Sequence, residues 1–254
     1  MTTTYTYADT VVLTRRSLRH VLRSPDTIIT TAITPVALML LFVYVFGGAI
    51  DTGSESYLNF MLPGILLITI ASGIAYTSYR LFMDMQGGIF ERFQSMPITR
   101  SSALWAHVLT SLVANATSLV IVIGVALIMG FRTGASVLAW LAVAGILIMF
   151  TLALTWVAVI AGLSAKTIDG AGGFAYPLIF LPFVSSAFVP TDTMPGPVSW
   201  FAENQPVTSI VDTIRALFAQ QPVGNDIWIA LGWCIGILAV AYAAATAIYK
   251  RKIS

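Results

Sequence analysis

Apolar residues in this chain run in long uncharged blocks, not in the short alternations of a water-facing fold. Six blocks contain no Asp, Glu, Lys or Arg: Thr27 to Ile50, Ser56 to Tyr79, Ser101 to Phe131, Thr133 to Ala165, Gly170 to Thr191, and Ile227 to Tyr249. The hydrocarbon core of a bilayer needs roughly 20 consecutive apolar residues per helical crossing, and each block reaches that length. Transmembrane helices are therefore expected at about 27–48, 57–79, 104–130, 137–163, 171–189 and 227–249. A turn around Arg132 and Gly134 separates the third from the fourth, and a polar patch around Lys166 and Asp169 separates the fourth from the fifth. Both pairs read as hairpins.

Three segments between the blocks carry a second pattern. Wound as a helix, Thr10 to Arg23 puts Val11, Leu18, Val21 and Leu22 on one face and Arg15, Arg16, Arg19 and Arg23 on another. That is the signature of an interfacial helix lying along a leaflet, closed by Ser24-Pro25; a basic anchor and a moving part both fit it. Between the second and third blocks, Ile89, Phe90, Phe93 and Met96 recur at helical spacing after Gly87-Gly88, with Glu91 and Arg92 on the polar side and Pro97 as the stop. A short amphipathic helix held off the membrane, as docking requires, gives this pattern, and so does an ordinary interfacial loop. From Pro190 to Asp226 prolines cut the chain into pieces, and Val207, Ile210, Val211, Ile214, Leu217 and Phe218 form a helical stripe. Two short helices are expected there, either dipping into the outer leaflet or capping the external helix ends.

Composition agrees with a bilayer solvent. Hydrophobic residues make up 57% and charged residues 9% of the chain, and mean hydropathy is +0.87, well outside soluble averages. A net charge of +2 gives no reason to expect nucleic acid as a partner, so the placement of charge matters more than its sum. With both ends in the cytoplasm, eleven of the 13 cations lie on that side, leaving only Arg132 and Arg215 outside. This is a strong positive-inside bias. The polar leader is long and no A-x-A site follows the first block, which argues against a cleaved signal peptide. Cys234, the sole cysteine, lies within an apolar run and can form neither a disulfide framework nor a cysteine-based metal site.

The candidate chemistry is sparse. Ion-coupled carriers usually keep ionisable groups at depth, and the expected spans hold only His107, near the start of the third. A P-loop needs a glycine-rich turn followed by Gly-Lys-Ser/Thr; the nearest approach is Lys166-Thr167, preceded by Ala165. His20 and His107 have no ligand partner at short spacing, so no metal site and no catalytic residue is expected. A membrane-embedded enzyme acting on lipid would gather buried polar groups at one depth, whereas Asn59, Asn115, Asp169 and Glu203 fall at different levels along the sequence.

Two stretches resemble the ABC-2 type permeases, in particular the drug-resistance branch typified by the daunorubicin exporter permease. The first is Asp84-Met-Gln-Gly-Gly88-Ile-Phe-Glu91-Arg92-Phe93, continuing to Met96-Pro97-Ile98-Thr99-Arg100. The second is Phe180-Leu-Pro182-Phe-Val-Ser-Ser186-Ala-Phe188-Val-Pro190-Thr-Asp-Thr-Met194-Pro195, followed by Asn204-Gln205-Pro206-Val207-Thr208 and by Asp212-Thr-Ile-Arg215-Ala-Leu217. With the order of spans, the resemblance covers nearly the whole chain. It implies an all-α membrane protein: one ABC-2 domain over 1–254, with a cytoplasmic interfacial helix at 1–26, six spans within 27–249 and a tail at 250–254. Short re-entrant helices would lie outside, between the fifth and sixth spans.

The resemblance further implies a multi-pass protein of the bacterial cytoplasmic membrane that is not itself an enzyme and holds no cofactor. ATP and Mg would be bound by a separate ATP-binding subunit, two copies of which pair with two permeases, identical or sister chains. Asp84, Gly88, Ile89, Phe90, Glu91, Arg92 and Phe93 would couple to that subunit, with the N-terminal helix as a second contact. A hydrophobic or amphipathic substrate, a drug or a lipid, would cross between the permeases along Tyr76, Tyr79, Tyr176, Phe180 and Phe183. Export of a polysaccharide or other glycoconjugate shares the architecture, and a lipid-modifying enzyme or a lone ion-coupled carrier are the readings from other classes.

Overall fold

The computed structural model describes residues 25–47, 56–87 and 100–253. The expected interfacial helix with Arg15, Arg16, Arg19 and Arg23, and positions Gly88 to Phe93 of the expected coupling helix, lie outside the described residues. Those described form helices and turns, with no strand among them.

In chain order, α1 spans Pro25–Leu41 and passes into a π-helical turn at Phe42–Phe46; α2 is Tyr57–Gln86, α3 Arg100–Ile128 and α4 Val137–Ser164. Two short helices follow, α5 (Ile168–Gly173) and α6 (Ala175–Phe180), then a 3-10 turn at Leu181–Val184. Next come α7 (Gly196–Asn204) and α8 (Pro206–Phe218), followed by α9 (Asp226–Ile253). Four of these helices, α2, α3, α4 and α9, are long and apolar enough to cross a membrane; the first and fifth apolar segments form shorter helices.

The first block forms one continuous helix close to the expected 27–48: α1 runs through Pro35 and passes at Phe42 into π geometry that ends at Phe46. Two expectations need correction. The second helix does not stop at 79 but continues to Gln86, so Arg80 and Asp84 belong to it and His107 is not the only ionisable group on the long helices. Charge does not end a helix. The end falls at Gly87, whose N–H donates to the Met83 carbonyl. The fifth block, expected as one helix over 171–189, is broken into α5, α6 and the 3-10 turn, with Gly170, Gly172, Gly173, Pro177 and Pro182 along it.

Helix α2 is the hub, packed against α1, α3, α4, α5, α6 and α8. The most apolar window of α2 is 78% buried inside the protein, against 17% for α9, which places α9 at the periphery. Lipid tails are as apolar as leucine, so in a bilayer close packing and hydrogen bonds hold such helices together. Small residues make the approach possible. A Cβ on Gly162 of α4 would meet the Ser78 carbonyl of α2 at 2.8 Å, closer than real Cβ atoms come. The expected stripe on α8 faces inward: Val207, Ile210, Val211, Ile214 and Phe218 are buried, with Leu217 half-buried.

Candidate functional site

A groove of about 710 Å³ lies between α2 and the α5–α6 pair. Tyr76 and Tyr79 reach it from α2 and Tyr176 from α6, with Ser72, Asp169 and Thr31 also on its walls. Thr167 caps α5, accepting from the Gly170 N–H at 3.1 Å, and so fixes the wall that carries Asp169. The Tyr76 and Tyr79 rings lie 6.2 Å apart, and the Arg80 guanidinium sits 5.9 Å from the Tyr76 ring. Three of the five aromatic residues named from the sequence therefore share one groove. The other two do not line it: Phe180 is exposed, and Phe183 stacks on Phe188 at 4.8 Å in a cluster that includes Phe42.

Next to the groove, sharing Thr31 and Tyr76 with it, is a small polar cavity of about 30 Å³ between α1, α2 and α3. Its walls include Gly73, Thr77, Ser111, Asn115 and Ser118. From Thr77 a chain of hydroxyls crosses three helices. Thr77 of α2 donates to Ser111 Oγ of α3 at 2.8 Å, and Ser111 lies 3.2 Å from Thr155 Oγ1 of α4. Thr155 in turn donates to the Thr151 carbonyl at 2.7 Å, which ends the chain. Each hydroxyl is satisfied without water, as burial requires. On the other wall, Thr31 of α1 meets Ser118 at 3.2 Å. Of the residues around this cavity, the sequence singles out Tyr76, His107 and Asn115. The signal passed over is the i, i+4, i+7 spacing of Ser111, Asn115 and Ser118, which sets all three on one face of α3.

Asp84 is near the end of α2, where its Oδ2 pairs with His107 Nε2 of α3 at 3.1 Å. This contact joins the two helices on either side of residues 88–99. At the far end of α2, Arg215 of α8 makes a second clasp. Its Nη1 donates to Asp212 Oδ1 and its Nη2 to the Ser186 carbonyl, both at 2.7 Å, while Nη2 also reaches the Phe60 carbonyl at 3.2 Å. The guanidinium lies 3.9 Å from the Phe60 ring centroid. Ser186 Oγ donates to the same Asp212 oxygen at 2.7 Å. Burial pushes the Asp212 carboxyl above its ordinary value, against the downward pull of Ser186 and Arg215. Among the described residues no three of His, Cys, Asp and Glu gather into a metal-binding group.

Residues 8–219 match the family described as ABC-2 type transporter. The chain is 27% identical over 232 residues to the daunorubicin resistance ABC transporter permease protein DrrB1 of Streptomyces coeruleorubidus, covering 90% of this chain and 81% of that protein. It is 25% identical over 248 residues to the probable doxorubicin resistance ABC transporter permease protein DrrC of Mycobacterium tuberculosis, covering 96% and 89%. Ser186, Asp212 and Arg215, which belong to the second stretch carrying the resemblance, are the residues that this second clasp brings together.

Proposed function

The chain belongs to the ABC-2 type transporter family, and from that membership we propose that it is the membrane-spanning subunit of an ATP-driven exporter of hydrophobic or amphipathic molecules. Permeases of this family work with ABC ATP-binding subunits and are not themselves enzymes. In this reading ATP and Mg are held by a separate subunit, and two permeases with two ATPases make the working assembly. Both termini lie in the cytoplasm, and α1 with its π-helical turn and the broken α5–α6 segment complete six crossings as one domain. The loop from Asp84 to Phe93 is the coupling element, and the helix carrying Arg15, Arg16, Arg19 and Arg23 lies on the cytoplasmic leaflet.

The observation that carries the cargo class is the aromatic groove. Tyrosines present large apolar faces with polar rims, which suits amphipathic cargo. The drug-resistance permeases among its relatives support the same cargo class. A double Tyr76→Ala, Tyr176→Ala variant, co-expressed with the partner ATPase, is expected to lower dye efflux about 3- to 10-fold, the cost of one or two lost aromatic contacts. Efflux at wild-type rate with normal membrane levels would remove the groove from the path.

A further inference from the structure

Helices α3, α4 and α9 border an apolar cleft of about 360 Å³ that shares no wall residue with the tyrosine groove. Trp156 of α4, 1% exposed, forms its floor, and the rings of Trp105 and Tyr242 meet it edge-on at 5.3 and 4.8 Å. On the open side Tyr242 is 42% and Ile235 54% exposed. The described walls carry no charged side chain. Of the four long helices α9 is the least buried, so in a bilayer this opening faces lipid.

Charge enters at one end of the cleft. Ala239, Tyr242, Thr246 and Lys250 follow one another at i, i+3, i+7 and i+11, so a single face of α9 runs from the cleft to an exposed lysine. Lys250 is eight residues beyond Tyr242, about 12 Å along the helix axis. Helix α4 ends at Ser164, and Lys166, also exposed, comes two residues later. Leu163 of α4 and Tyr249 of α9 belong to one apolar cluster with Trp156, which brings the helix ends beside both lysines together.

The dimensions narrow the occupant. One turn of a helix 10 Å across fills roughly 420 Å³, so the cleft is too small for a helix of another protein. A hydrocarbon chain lying along the rings fits. Apolar walls alone do not distinguish one lipid from another, since every tail is as apolar as leucine. The lysines supply the distinction, because cations beside a cleft between membrane helices favour anionic headgroups.

We propose that the cleft between α3, α4 and α9 binds one acyl chain of an anionic phospholipid whose phosphate is held by Lys166 and Lys250. The long lysine stems let both ammonium groups reach the headgroup while the chain passes over the rings. This site does not depend on the groove at α2 carrying cargo; it requires only that the protein sits in a bilayer.

The test is tryptophan quenching in the full chain, reconstituted in phosphatidylcholine bilayers with a small fraction of dibrominated phosphatidylglycerol or dibrominated phosphatidylcholine. Bromine on the acyl chain quenches the rings it lies against. In the wild type, phosphatidylglycerol is expected to associate about 5- to 10-fold more strongly, as two cations near an anionic headgroup predict. The Lys166→Gln, Lys250→Gln variant should bring that ratio close to one while leaving quenching by phosphatidylcholine unchanged. In a Trp105→Phe, Trp156→Phe variant the preference should vanish from the remaining tryptophans, Trp140, Trp200, Trp228 and Trp233, which lie outside the cleft. Thermal unfolding in detergent checks each variant, and the exposed lysine pair decides the question even where the tryptophan pair has lost packing. Equal quenching by the two lipids in the wild type, or a preference that survives the lysine variant, overturns the site. So does a preference that persists in the four remaining tryptophans of a folded protein.

Discussion

Arg215 uses most of its donors in one clasp, tying α8 to the first turn of α2 and to the backbone at Ser186. The planar guanidinium can serve two carbonyls and a carboxylate while lying over the Phe60 ring, which an ammonium cannot. Arg215→Ala leaves Asp212 half-buried with the Ser186 hydroxyl as its remaining donor, and hydrogen bonds to charged groups contribute about 1.5–3 kcal/mol each. The variant is expected to unfold several degrees earlier in detergent, with Arg215→Lys recovering only part of the loss. Wild-type stability for Arg215→Ala would mean the clasp contributes nothing measurable. From the sequence, Arg215 was legible as one of two cations outside and as part of the family pattern, not as a partner of Phe60, 155 positions away. The same limit applies at Asn115. Spacing along α3 shows which polar residues share a face, whereas the registry that sets Thr77 and Thr155 against Ser111 depends on how three helices pack.

At the scale of elements, the long uncharged blocks located α2, α3, α4 and α9 well, because a bilayer-spanning helix is specified by length and apolarity alone. The fifth block was less legible: its glycines and prolines were visible, but hydropathy does not distinguish a continuous helix from short pieces of equal apolarity. Charge was also the wrong boundary for α2. Asp84 stands on the helix and pairs with His107 of α3. In the proposed coupling loop the sharper probe is Glu91, expected on the polar side of a helix whose apolar side provides affinity. Reversing it in Glu91→Lys sets a cation against a partner expected to offer one, and a like-charge contact at an interface costs several kcal/mol. The variant is expected to reach wild-type membrane levels, yet to lose co-purification with the ATPase and its stimulation. Normal assembly and turnover would reduce the loop to an interfacial connector.

For the whole molecule, the distribution of packing separates a core from a periphery: α2 is surrounded by its own chain, while α9 and the tyrosine side of α2 leave apolar and aromatic surface open. In the proposed reading, cargo moves along this groove with work supplied by a separate ATP-binding subunit. The most direct measurement is amphipathic dye transport in proteoliposomes containing this chain and an ABC ATP-binding subunit, compared with liposomes containing either alone. The account predicts dye movement that requires ATP and both subunits, with no ATP turnover above background from the purified chain by itself. Dye movement by this chain alone and without ATP, or ATP hydrolysis by the chain free of its partner, would contradict it.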